Sequence, residues 1–220
     1  MISLSSAPPR RALFWKVPND RRLVPCLREV ASAITHFIVG GALALPAVRA
    51  ARIRRVLPGW AIPVTSGLLT VAPDLDTLPM RLFDLPYGSA FAHRGIFHSL
   101  FFLIVSTAVL AVAVARRART AAHLTAIWAG CAITHPLLDM LTDGGYGVML
   151  LFPLSQTRWF FPWRPIRVSP LSIIRFFSVA GGILTSELPF CLAAIAIGVL
   201  GFVARPTRQG PSVRHSARVE

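Results

Sequence analysis

Twenty consecutive residues, Ile96 to Ala115, carry no carboxylate, lysine or arginine. As a helix rising about 1.5 Å per residue, such a run covers roughly 30 Å, the thickness of a bilayer's hydrocarbon core. A second run, Phe176 to Ala204, contains one acid, Glu187. Shorter apolar runs cover Ile34 to Val48, Trp60 to Ala72 and Ala121 to Leu141. These runs constrain the fold more than anything else in the chain. They predict an all-α, polytopic membrane protein with a four-helix antiparallel bundle and one or two C-terminal transmembrane helices.

Composition agrees. Only 15% of the 220 residues are charged and 54% are hydrophobic, whereas soluble domains carry about 25% charged residues. The formal net charge is +14, from 23 Lys and Arg against nine acids. In a soluble chain that excess points to nucleic acid. Here the arginines punctuate apolar runs, at Arg49, Arg52, Arg54 and Arg55, then at Arg116, Arg117 and Arg119. That placement suits membrane flanks facing anionic headgroups, so the expected partners are membrane lipids and no specific nucleic acid. The expected location is the cell membrane, multi-pass, and the inner membrane if the source is bacterial.

Residues 1–29 read as a basic disordered or interfacial tail, 30–204 as the membrane-embedded helical domain and 205–220 as a second basic tail. Four prolines and six Lys or Arg before residue 29 leave no apolar stretch for a secretory signal. Cys26, Cys131 and Cys191 form no CxxC pair and imply no disulfide framework.

Ionisable groups inside a membrane are costly and mark function. Five of the nine acids lie between residues 74 and 143, and His36, His93, His98 and His135 each border or enter an apolar run. Helices joined by short connections alternate in direction. The start of the first helix (His36), the end of the second (Asp74, Asp76), the start of the third (His93, His98) and the end of the fourth (His135, Asp139) then share one rim. The arginine clusters fall on the other.

The spacing on that rim suits a metal. His135 and Asp139 sit one helical turn apart on one face. Asp74 and Asp76 bracket Leu75, and Gly95 permits a turn between His93 and His98. Imidazoles and carboxylates from four elements suit zinc, manganese or iron, and a divalent ion lowers the pKa of water toward about 7 for attack on an ester or phosphoester. Arg94, between the histidines, offers a bidentate clamp for an anion. Each piece has a structural alternative. His36 alone would serve helix packing, "PDLD" a capped turn, "HPLLD" a hydrogen-bonded staple and Asp143 a helix stop. The segment 153–172, with Trp159, Trp163, Arg158, Arg164 and Arg167, reads as an interfacial belt that serves as a lid or a plain anchor.

The ordered set "TH" (35–36), "PDLD" (73–76), "HRGIFHS" (93–99), "HPLLD" (135–139), "LTDGG" (141–145) and "LFP" (151–153) resembles the YdjM family of membrane-bound proteins, which are classed as metal-dependent hydrolases. The resemblance covers about residues 31 to 155. It departs at Phe97, where the family commonly has Thr. In ligand order the set is also similar, more distantly, to zinc-dependent phospholipase C and zinc nucleases, which implies phosphoester hydrolysis.

The function expected is a membrane-bound metal-dependent hydrolase of an ester or phosphoester, with a lipid among the candidate substrates. His36, Asp74, Asp76, His98, His135 and Asp139 are the expected ligands, zinc the first choice of ion. His93 serves as ligand or general acid and Arg94 as anion clamp. The chief alternative is a transporter or ion pathway using the same cluster. A di-iron lipid oxidase needs more histidines than the core holds, and a nucleic-acid-binding regulator would work through the arginine tails.

Overall fold

The computed structural model describes residues 15–16, 29–30, 32–86, 88–170 and 173–205. The two segments read as basic tails fall outside these residues except at 15–16, 29 and 205, and Cys26 lies outside them as well.

Helix α1 (Ala33–Leu43) starts at Ser32, whose Oγ accepts from Thr35 N, and gives way to a 3-10 turn, Leu45–Arg49, at Pro46. Helix α2 (Ala61–Val71) runs straight into a 3-10 turn, Ala72–Asp76, because Pro73 has no N–H to continue the α-helical ladder. The short α3 (Thr77–Leu82) follows. After a loop comes a 3-10 turn, Ile96–His98, then α4 (Leu100–Val114) capped by Ser99 Oγ on Phe102 N. Helix α5 (Ala118–Met140) and the long α6 (Ile173–Ala204) complete the helices. Two two-residue ladders tie the N-terminal segment to the loop before α6. In these, β1 (Trp15–Lys16) pairs antiparallel with β3 (Trp159–Phe160), and β2 (Glu29–Val30) with β4 (Ser169–Pro170).

The helical class is as the sequence implies, but the lengths differ. The apolar run from Ile96 is not one helix. Its first residues form the turn that carries His98, and Ser99 starts the helix afresh, so α4 has 15 residues and spans about 22 Å. Among the described residues one stretch is long and apolar enough to cross a membrane, Ser178–Ala204 within α6, with 27 residues and mean hydropathy 2.1. Ala33–Arg49 and Leu100–Val114 are apolar but shorter.

Helix α1 packs against α2, α5 and α6, while α5 also packs against α2 and α4. Gly40 lets α1 and α2 approach closely, since a Cβ there would collide with the Thr70 side chain. Ile53, Ile62, Leu124 and Trp128 fill the core at the end away from the histidines. At that end Arg52 meets His123, with Nη1 3.3 Å from Nδ1, as expected for an arginine-rich rim opposite the ligands. Outward-facing Phe101, Val109 and Val112 of α4 and Leu200 and Val203 of α6 are exposed. Apolar surface repeated along helices in this way marks a contact face and not an aqueous one.

Candidate metal centre

Four chain segments converge at the other end. His36 comes from the first turn of α1, Asp74 and Asp76 from the turn after α2, His98 from the turn before α4, and His135 and Asp139 from the last turns of α5. His93 and Arg94 lie in the loop just before the His98 turn. All eight residues expected at the site are brought together. Every one of these side chains is completely or almost completely buried except that of Asp74, which is 14% exposed.

One donor atom each from Asp74, His98, His135 and Asp139 forms a compact group, all within 4.8 Å of one another. His98 Nε2 lies 2.9 Å from His135 Nε2, 3.7 Å from Asp74 Oδ1 and 3.4 Å from Asp139 Oδ2. His135 Nε2 lies 3.4 Å from Asp74 Oδ1 and 3.5 Å from Asp139 Oδ2. His36 borders this group. Its ring stacks on that of His135 with centroids 3.8 Å apart, and its Nε2 is 3.7 Å from Asp139 Oδ1.

Asp76 organises a second group with His93 and His98. Its Oδ1 is 2.8 Å from His93 Nδ1 and its Oδ2 3.2 Å from His98 Nδ1. One carboxylate thus faces the Nδ1 atoms of two histidines and leaves both Nε2 atoms for other partners. Burial alone would push the Asp76 carboxyl up. The positive charge His98 carries when protonated, with the hydrogen bond from His93, outweighs it and holds the group at about 2.

Arg94 has a left-handed backbone, φ 61°, which a residue other than glycine adopts only when its surroundings hold it there. Its Nη2 donates to Asp139 Oδ1 at 3.2 Å and its Nη1 to the Gly144 carbonyl at 3.2 Å. Gly95 follows because a Cβ at that position would run into the Ala90 and Ala92 carbonyls. Arg158 fixes the same loop from the other side. Its Nη1 donates to the carbonyls of Gly147 (2.9 Å), Arg94 (3.2 Å) and His93 (3.4 Å), and its Nη2 to that of Ser89 (3.0 Å).

Two contributors escaped the sequence reading. Arg158 was expected in an interfacial belt and is 5% exposed, whereas its neighbour Trp163 is 67% exposed. The three arginines of that segment, Arg158, Arg164 and Arg167, look alike in sequence, and only the fold shows which one turns inward. Glu187 of α6 accepts from Ser32 N (2.7 Å), Ser32 Oγ and Thr35 Oγ1 (2.8 Å), fastening the start of α1 beside His36. A lone acid in a long apolar run was its available signal.

Buried imidazoles and carboxylates of this kind are a donor set that metal ions take up, in a helical chain with an apolar exterior. Together these features define a membrane protein with a metal-type His/Asp centre. The chain matches the sequence profile of the family described as YdjM inner membrane protein over residues 32–210, and it belongs to that family. It is 38% identical over 125 residues to the Inner membrane protein YbcI of Escherichia coli (strain K12), a match covering 55% of this chain and 70% of that protein. No solved structure matches it.

Proposed function

We propose that the protein is a multi-pass membrane hydrolase in which Asp74, His98, His135 and Asp139 hold a divalent ion and the substrate is an ester or phosphoester. The observation that carries this is the spacing of the donors. Zinc bonds of about 2.0–2.1 Å arranged tetrahedrally place neighbouring donors about 3.4 Å apart. The five separations given above scatter around that value, from 2.9 to 3.7 Å. A second sign is a pair of buried carboxylate oxygens without hydrogen-bond partners, Asp74 Oδ1 and Asp139 Oδ2, both beside His135 Nε2. Buried polar atoms are normally satisfied, so orphans converging on one point fit an ion. The donor types fit zinc first, with manganese or iron as alternatives.

A bound divalent ion supplies Lewis-acid polarisation of the scissile group and makes water acidic enough to attack near neutral pH. The chain's own residues do the rest. Asp76 Oδ2, 3.2 Å from His98 Nδ1, favours the tautomer with the proton on that nitrogen, which would leave the Nε2 lone pair for an ion. In this arrangement Asp76 orients ligands instead of binding the metal. His36, against His135 and Asp139, is available as a further ligand. His93, fixed by Asp76 at Nδ1, keeps a buried and unpartnered Nε2 that can hand a proton to a leaving oxygen. Arg94 has both Nη atoms engaged on protein, so we assign it to positioning Asp139 in place of clamping an anion.

Transport through the same cluster gains nothing from α4. The hydroxyls of Ser99, Ser106 and Thr107 all donate to carbonyls one turn or less back along the chain and line no polar route. The test is hydrolysis of p-nitrophenyl phosphate, bis-p-nitrophenyl phosphate and p-nitrophenyl butyrate by zinc-loaded protein. Turnover that chelator and His135→Ala both abolish supports the proposal. No turnover of any of the three by protein that retains its metal would count against it.

A further inference from the structure

A cavity of about 310 Å³ lies between the turn after α2, α3, α4 and α5. Its walls include Leu69, Leu75, Phe97, Phe102, Leu103 and Ala132, and the one charged residue among them is Asp76. Ser106 and Thr107 also border it, but their hydroxyls are bonded to Leu103 O, so they offer an occupant little polarity. Phe97 and Phe102 meet edge to face, centroids 4.8 Å apart. Apolar walls with a single polar end are the usual form of a ligand pocket, and the volume is at the lower end of the usual range of about 300–1,000 Å³.

The polar end decides what fits. Asp76 is the carboxylate that faces both His93 and His98. An occupant filling the cavity therefore has one end against Asp76, which adjoins the proposed ligand His98, and the rest in hydrocarbon-like surroundings. The outer wall faces outward, for Leu75, which lines the cavity, is 60% exposed. Entry from the side, out of a bilayer, needs no passage through water.

We infer that this cavity holds the hydrocarbon chain of an amphiphilic substrate whose ester or phosphoester head lies at the His/Asp centre. The inference rests on the hydrolase reading and narrows its substrate to single-chain or chain-bearing lipids. A methylene needs about the room of a water molecule, roughly 30 Å³, so the cavity takes about ten. Each methylene buried from water strengthens binding about three- to fourfold.

The experiment is calorimetric titration of zinc-loaded, full-length protein with inorganic phosphate and with butyl, hexyl, octyl, decyl and dodecyl phosphates below their micelle concentrations. Affinity is expected to climb about threefold or more per methylene and to level off near ten carbons. Ser106→Phe, which fills the cavity from α4, should flatten the series while inorganic phosphate binds as to the wild type. Ala132→Leu, a milder filling from α5, should move the plateau to shorter chains, and zinc content verifies that both variants are folded. A series flat in the wild type, or equally steep in folded Ser106→Phe, overturns the pocket and leaves the hydrolase reading standing. Failure of inorganic phosphate and every alkyl phosphate to bind the zinc-loaded protein overturns the pocket as a phosphoester site and, with it, the phosphoester form of the hydrolase reading.

Discussion

The Nε2 atoms of His98 and His135 face one another at 2.9 Å in a site with no water-exposed side chain on either residue. Two neutral imidazoles bring their nitrogens so close only when one N–H lies between them or when a cation takes both lone pairs. With Asp74 and Asp139 oxygens beside the same pair, a cation meets the charge of the group far better than a single proton does. The centre is therefore read from the mutual positions of its donors, not from any one of them.

Asp76 gives the first prediction. Asp76→Asn keeps one acceptor oxygen but cannot present one to the Nδ1 atoms of both His93 and His98. Metal affinity should fall about 10- to 100-fold, the usual effect of losing a carboxylate that orients a ligating histidine. Competition against a fluorescent zinc chelator measures this. A variant binding metal as tightly as the wild type would remove Asp76 from the orienting role.

Arg94→Lys separates two roles. If Arg94 positions Asp139, losing the fork weakens metal retention, again by about 10- to 100-fold. If it clamps substrate, metal content stays normal and only turnover falls. Metal analysis and kcat on the same preparation distinguish the outcomes, and a loss of metal is the one expected.

Glu187→Leu should destabilise the junction of α1 and α6. It leaves Ser32 N, Ser32 Oγ and Thr35 Oγ1 without their acceptor, and each unsatisfied buried donor costs about 1–3 kcal/mol. Thermal unfolding in detergent should show a loss of about 3 kcal/mol. Because His36 follows Thr35 in the same turn, metal retention should weaken with it. An unchanged midpoint would mean that the carboxylate is dispensable.

The sequence carried the convergence of the site because few charges interrupt its apolar runs. Placing His36 at one helix start, Asp74 and Asp76 at a helix end and His135 with Asp139 at another needed only periodicity and alternating direction. Helix lengths were less legible. Hydropathy alone could not show that Ile96 to His98 form a turn, because the turn is imposed by Gly95, by the bonds to the loop and by the need to aim His98 inward. The partner of Arg94 was hidden for a related reason. A guanidinium between two histidines suits an anion as well as a carboxylate, and the choice depends on where Asp139 lies in space. Arg158 and Glu187 act across more than sixty and one hundred and fifty residues of chain respectively, a separation that local pattern does not register.

The central claim is that Asp74, His98, His135 and Asp139 form a metal site, and metal content tests it most directly. Protein purified without chelator, analysed by plasma mass spectrometry beside a His135→Ala/Asp139→Ala variant, should carry close to one divalent ion per chain, or take one up from added zinc. The double variant should carry almost none while remaining helical by circular dichroism. Wild-type protein with no metal above background, and no gain in thermal stability on adding zinc, manganese or iron, would contradict the account.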